Sequence, residues 1–340
     1  MPLSEVPLSD VPLSDMMKSW QVHKFCEPEQ MTLSEVPIPE PGPLEVRIRN
    51  RAVALNFFDI LQIQGKYQVK PAFPFTPGAE VAGLVDAVGA EVKHVFVGDP
   101  VSAMTHNGAF AEYSLASASR TFHIIAGMDF PEAAAMPVVY HTTYFALHRR
   151  AGLAYGEWLL VHAGASGVGM AAIQIGKAYG AKVIATAGRQ EKLDFCLAQG
   201  ADHALLYTDA GWVERVKEIT GNHGIDVVYD PVGGDAFDLS TRVMAPEGRL
   251  LVIGFASGRI PSVQANRVLL KNISVVGVHW GQYVAQHPEF LSHTHEVLTA
   301  MYLGGQIHPV VGKTFRLEEA ASGLRELAER KILGKAVLVF

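Results

Sequence analysis

The sequence predicts an α/β protein in two parts, a β-rich domain and a doubly wound parallel sheet. Three observations carry this. From about residue 20 to 115 the chain is a series of short alternating or apolar runs, such as 45–55 and 79–88. They are punctuated by Pro39, Pro41-Gly42-Pro43, Pro77-Gly78 and Gly98-Asp99-Pro100, the texture of strands joined by irregular turns. Beyond residue 150, strand-like and helix-like segments alternate instead, which specifies a parallel sheet covered on both faces. Finally, 340 residues at 49% hydrophobic and 18% charged supply enough apolar material for two cores.

Taken in order, residues 1–16 repeat a five-residue unit, Pro2-Leu3-Ser4-Glu5-Val6, Pro7-Leu8-Ser9-Asp10-Val11 and Pro12-Leu13-Ser14-Asp15-Met16. Proline in every unit blocks a helix, and the absence of any basic residue before Lys18 argues against a secretory or mitochondrial presequence. A flexible leader is expected. Near Glu132 the texture becomes helical, over 132–137 and 142–150 with a kink at Pro137, and the domain boundary is placed there. Strands follow at 158–163, 182–186, 204–207, 225–230, 250–254 and 273–278, with helices at 168–179, 192–199, 212–220 and 236–244 between them. Val168, Ala172, Ile175 and Tyr179 form one apolar stripe predicted to face the sheet. Helices at 289–303 and 318–330 and a strand at 336–340 end the chain.

Composition excludes several functions. A net charge of −6 without a run of like charges gives no footprint for nucleic acid, and no apolar stretch is long enough to span a bilayer as a helix. Two cysteines, Cys26 and Cys196, cannot build a four-thiolate zinc site and fit a reducing, cytoplasmic setting. The expected ligand is a small molecule.

The sharpest motif is Gly164-Ala165-Ser166-Gly167-Val168-Gly169, between a predicted strand and a predicted helix. Glycines there let backbone approach a pyrophosphate, whose charge meets the N–H groups and positive dipole end of the helix. Ser166 stands where glycine is usual, and Gly167 beside it preserves the approach. About twenty residues on, an NAD site places an acid on the ribose. Here the strand end reads Gly188-Arg189-Gln190-Glu191-Lys192, with no acid at its tip and two cations that suit a 2′-phosphate. The predicted cofactor is NADPH.

These segments, with Ala54-Leu55-Asn56-Phe57-Phe58-Asp59, Pro74 to Gly83, Val227 to Gly234 and Leu269-Leu270-Lys271-Asn272, resemble the zinc-independent medium-chain dehydrogenases/reductases of the quinone oxidoreductase (zeta-crystallin-like) family. The resemblance covers residues 18–340. It implies a GroES-like catalytic domain (17–140 and 284–340) and a Rossmann domain (141–283). Zinc-dependent members carry ligands where this chain has Asn56 and Ala79, and Glu80 alone survives, so no metal is expected. The activity implied is NADPH-dependent reduction of quinones or α,β-unsaturated carbonyls. The alternatives are an enoyl thioester reductase, with Lys66 and Lys70 toward substrate phosphates, and a non-catalytic NADPH-binding structural or regulatory protein.

The resemblance further implies Tyr67 as proton or hydrogen-bond donor, and Asn56 as a hydrogen-bonding partner of the substrate oxygen or nicotinamide ribose. It places Thr142 near the nicotinamide and Tyr207 beside the adenosine phosphate; Gly254 and Phe255 follow the fifth strand, where parallel sheets present ligands, and are expected to bind the cofactor. His141 stands where the family has glycine, and a structural role is expected of it. His293 and His295, two apart on a helix, cannot share a face to hold a metal. A homodimer joined edge to edge through residues 274–280 is expected.

Overall fold

A computed structural model describes residues 15–340; the repeats before Asp15, and the leader expected there, lie outside the described residues. Met16, counted with the leader from the sequence, opens the first strand. In chain order the strands are β1 (Met16–Gln21), β2 (Thr32–Pro37), β3 (Glu45–Leu55), β4 (Glu80–Val88), β5 (Pro100–Met104), β6 (Tyr113–Ser117) and β7 (Thr121–His123). Then come β8 (Trp158–Val161), β9 (Lys182–Ala187), β10 (His203–Leu206), β11 (Ile225–Asp230), β12 (Met244–Val252) and β13 (Ser274–Gly277), and finally β14 (Val311–Arg316) and β15 (Lys335–Val339). Two compact units result, one taking the chain to Val138 and from Val311 to Phe340, the other Val139–Val310.

In the first unit a seven-stranded sheet runs β14-β15-β3-β4-β5-β7, with β6 also on β3, and β1 and β2 form a separate antiparallel pair. β3 organises it. Its first half alternates, burying Val46, Ile48 and Asn50, as a strand with one dry face should. Its second half, Ala52 to Leu55, is buried throughout because the helix Phe130–Ala135 covers the other face with Ala133, Ala134 and Ala135.

The second unit is a six-stranded parallel sheet in the order β10-β9-β8-β11-β12-β13. Counted from β8, that is the 3-2-1-4-5-6 order of a dinucleotide-binding sheet, in which ligands lie at the carboxyl ends where the order reverses, beside β8. The helix after β8, Gly167–Ala178, departs from the single-stripe expectation. Met170 through Gly176 are all buried. The sheet takes one side of it, and the segment ending at Val310 takes another: Gln174 Oε1 accepts from His308 N–H and Val310 N–H reaches Met170 Sδ.

That segment also moves a boundary. Residues 284–310, expected with the catalytic domain, belong to the second unit. Phe290, on the helix Pro288–Leu303, packs edge-on against Phe145 and Tyr283, with ring centroids 5.9 and 5.2 Å apart. Aromatic contact of this kind is invisible to periodicity. Two smaller differences follow. The stretch expected to be helical after Pro137 is an α-helix, Pro137–Tyr144, continued as a π-helix, Phe145–Ala151. β13 stops at Gly277, and Trp280 opens the helix Trp280–Gln286 rather than ending a strand.

Candidate functional site

Most of the residues predicted to hold the cofactor lie at the carboxyl ends of β8, β9, β10 and β12. Past β8, His162 ties the strand end down: its Nδ1 lies 2.8 Å from Thr186 Oγ1 and its Nε2 2.7 Å from Ser240 Oγ. Ser240 Oγ donates to Ala236 O, so it accepts from an Nε2–H, and Nδ1 accepts from Thr186. Burial pushes this imidazole's pKa down, which keeps it in that neutral tautomer.

The chain then turns through Ala163, a non-glycine residue in the left-handed region (φ 50°). Gly169 has no room for a side chain, because a Cβ there would lie 2.2 Å from Ala163 O and 2.7 Å from Gly164 Cα. Ser166 explains its own departure from glycine. It is the N-cap of the helix, accepting from Gly169 N–H at 3.2 Å and donating to Ala163 O at 2.7 Å. Gly167 and Val168 N–H keep no acceptor among the described residues, so two donors stand open at the positive end of a helix, beside the switch point.

Gly188, Arg189 and Tyr207 meet at the ends of β9 and β10. Tyr207 N–H donates to Ala187 O, and its hydroxyl lies 2.7 Å from where a Cβ on Gly188 would stand. Arg189, exposed, is the N-cap residue of the helix Gln190–Ala198, and half-buried Lys192 follows within its first turn. Gly254 and Phe255 come after β12, where Gly254 N–H reaches Asp230 O. Thr142 is half-buried on the helix Pro137–Tyr144. His141 beside it is buried and stacks on His295 with ring centroids 5.7 Å apart.

In the first unit a second group converges at the end of β3. β3 lies between β15 and β4, with Leu55 opposite Ala336 and Val53 opposite Val81. That register brings together three residues far apart in sequence. Lys335 Nζ donates to Asn56 Oδ1 at 2.7 Å, Glu80 Oε1 at 2.6 Å and Leu55 O at 3.1 Å. Asn56 Nδ2 donates to Glu80 Oε1 at 2.8 Å, and Glu80 Oε2 accepts from Val138 N–H. Lys335 and Glu80 are 3% and 0% exposed, so this is a buried ion pair with its hydrogen-bonding capacity filled.

Asn56 also caps the helix Phe57–Ile63, its backbone N–H donating to Asp59 Oδ2 at 2.8 Å. Complete burial pushes the Asp59 carboxyl up to about 8, against the pull of that N–H and of Lys335. It is therefore protonated at neutral pH, and the cluster as a whole carries no net charge. Tyr67 is half-buried with its ring 5.5 Å from Phe58; burial, and then Asp59, raise its pKa above the ordinary tyrosine value. Lys66 and Lys70 flank it in sequence; Lys70 is exposed, with Nζ 5.7 Å from the Phe25 ring centroid.

Lys335 and Asp59 escape a reading of the sequence. A lysine opening an apolar strand reads as a solvent anchor, and only the pairing of β15 with β3 shows otherwise.

Comparison with known proteins bears on both units. Residues 42–126 match the alcohol dehydrogenase GroES-like domain and residues 167–296 the zinc-binding dehydrogenase family. Quinone oxidoreductase-like protein 2 of Mus musculus is 38% identical over 313 residues, 91% of this chain and 89% of that protein. The chain belongs to the quinone oxidoreductase family of medium-chain dehydrogenases/reductases. Quinone oxidoreductase of Pseudomonas aeruginosa is 36% identical over 326 residues, 95% of this chain and 100% of that one. The structure of Escherichia coli quinone oxidoreductase complexed with NADPH superposes with a TM-score of 0.89 at 30% identity, covering 95% and 100% of the two chains. As a quinone oxidoreductase relative, the protein is an oxidoreductase with a GroES-like unit and a Rossmann unit. Among its described residues no three His, Cys, Asp or Glu side chains are grouped as metal ligands, and no helix is long and apolar enough to cross a membrane.

Proposed function

We propose that the protein is an NADPH-dependent reductase that transfers hydride, without a metal, to quinones or α,β-unsaturated carbonyl compounds. The observation that carries the cofactor is the pair of open donors, Gly167 and Val168 N–H, in a turn where Gly164 and Gly169 leave no room for side chains. They suit the pyrophosphate, while Arg189 and Lys192, at a strand end without an acid, suit the 2′-phosphate. Tyr207, packed on Gly188, flanks the same phosphate. Thr142, Gly254 and Phe255 complete the nicotinamide side. NADPH, when bound, supplies the hydride.

The metal-free reading rests on Lys335. Its ammonium already stands within hydrogen-bond distance of Asn56 and Glu80, so a divalent cation between those two would face a like charge in a dry site. Two electrons arrive as hydride, and one proton must follow to the acceptor oxygen or the carbon beside it. Tyr67, kept protonated by its surroundings, donates that proton or hydrogen bond, and Asn56 holds the oxygen or the nicotinamide ribose.

A homodimer is part of the proposal. Among the described residues β13 ends the six-stranded sheet with an unpaired edge, and the helix leading into it exposes Leu269 and Leu270 at 76% and 79%. Sedimentation as a dimer is expected; a monomer at micromolar concentration removes this part.

The deciding experiment follows NADPH oxidation with a benzoquinone, a 2-alkenal and crotonyl-CoA, beside NADPH binding without acceptor. Turnover of the quinone or alkenal is expected. Turnover confined to the thioester would give the enoyl reductase reading instead, and binding without turnover would refute a reductase altogether.

A further inference from the structure

Lys335 carries more than counter-charge, because an ammonium has three donors and no acceptor. All three are used, on Leu55 O, Asn56 Oδ1 and Glu80 Oε1. The Asn56 carboxamide can turn only its oxygen toward such a group, since its NH₂ end would set donor against donor. Its Nδ2 is thereby directed away, with one hydrogen on Glu80 Oε1 at 2.8 Å. The other reaches Ala54 O at 3.4 Å, a long contact that a ligand oxygen can replace.

We propose that Lys335 is a positioning residue of the reaction: its buried ammonium fixes which end of the Asn56 carboxamide faces the ligand, so that an N–H is presented to the acceptor oxygen or the nicotinamide ribose. This rests on the role given to Asn56 above. The placement makes the dependence specific. The register of β15 on β3 sets Lys335 beside Asn56, and burial denies its ammonium any water to donate to. Without Lys335 the Asn56 oxygen loses the donor that holds it, and Glu80, the carboxamide's other partner, loses the ammonium that fixes its Oε1. The amide loses its set orientation although every residue that touches ligand is still present.

The test compares full-length Lys335→Met, Asn56→Ala and the double variant, measuring kcat, both KM values and NADPH binding by nicotinamide fluorescence, with benzoquinone as acceptor. Lys335→Met is expected to lose about tenfold in kcat/KM for one of the two substrates, the size of one directed hydrogen bond. The same substrate is expected to be affected as in Asn56→Ala, and the double variant to lose no more than Asn56→Ala alone. A purely structural lysine would lower the folded fraction and leave rates per folded molecule unchanged, and that result overturns the proposal. So do losses that multiply in the double variant. If Lys335→Met does not fold, Lys335→Met with Glu80→Gln removes both charges and is compared with Glu80→Gln under the same criteria. Full activity in Asn56→Ala would instead overturn the role of Asn56 itself, and this proposal with it.

Discussion

Replacing Asp59 with asparagine should make the protein's stability less dependent on pH, and the size of the change follows from where the carboxyl sits. Asp59 is completely buried; Oδ2 accepts from Asn56 N–H, and Oδ1 has no hydrogen-bond partner among the described residues. Its pKa rises from an ordinary 3.8 to about 8 in the folded chain. Between those values the folded protein holds a proton that the unfolded chain releases. Stability from this group is therefore complete below about pH 4 and is lost as pH rises to about 8. One proton of difference is a slope of about 1.4 kcal/mol per pH unit. The carboxamide of Asp59→Asn would keep the acceptor for Asn56 N–H and has no proton to lose. Measured at about pH 5, 6 and 7 by hydrogen exchange of the β3 amides, the stability of Asp59→Asn relative to wild type should climb by about 1.4 kcal/mol per unit, other titrations cancelling. A difference that stays constant with pH would refute the claim that this carboxyl is neutral in the folded state.

Gly169→Ala sets a Cβ 2.2 Å from a backbone oxygen that cannot swing away, so NADPH affinity measured by fluorescence should fall by at least about tenfold; wild-type affinity would contradict a rigid turn. Tyr67→Phe should lower kcat on the order of a hundredfold with NADPH affinity unchanged, and full activity would remove Tyr67 as donor. Because burial raises its pKa, the wild-type rate should not decline below about pH 10 through this group. Exchanging Arg189 and Lys192 together for glutamine should raise the KM for NADPH about ten- to a hundredfold while leaving that for NADH nearly unmoved, as loss of charge-assisted bonds to a 2′-phosphate requires. Equal effects on the two cofactors would sink the phosphate assignment.

What the sequence made legible was whatever is specified by neighbours in the chain. The turn from Val161 to Gly169 needs a strand, glycines and a helix start within a short stretch of chain, so its position could be read directly, and only the capping by Ser166 had to be seen. The alternation of strands and helices was equally plain, since each helix repeats its pattern locally. The polar cluster behaved oppositely. Asn56, Glu80 and Lys335 meet only because β3 is flanked by β15 and β4, and no spacing along the chain encodes that adjacency. Residues 284–310 were misassigned for the same reason: the ring contacts of Phe290 with Phe145 and Tyr283 are settled by packing, and amphipathic periodicity is the same whichever unit a helix covers.

The same contrast predicts how the two halves answer to mutation. In the turn from Val161 to Gly169 the open donors are backbone N–H groups, so side chains there matter chiefly by their absence: Gly164 would press a Cβ within 2.7 Å of Cys196 Sγ, and Gly169 a Cβ onto backbone. Adding atoms is what harms it. The polar cluster is instead made of side-chain heads paired inside a dry site, so removing atoms is what harms it, and the harm spreads to neighbours through an orphaned charge. Burial pushes the Asp59 carboxyl in that cluster up to about 8, within reach of physiological pH, which is why its replacement is an informative perturbation of the site.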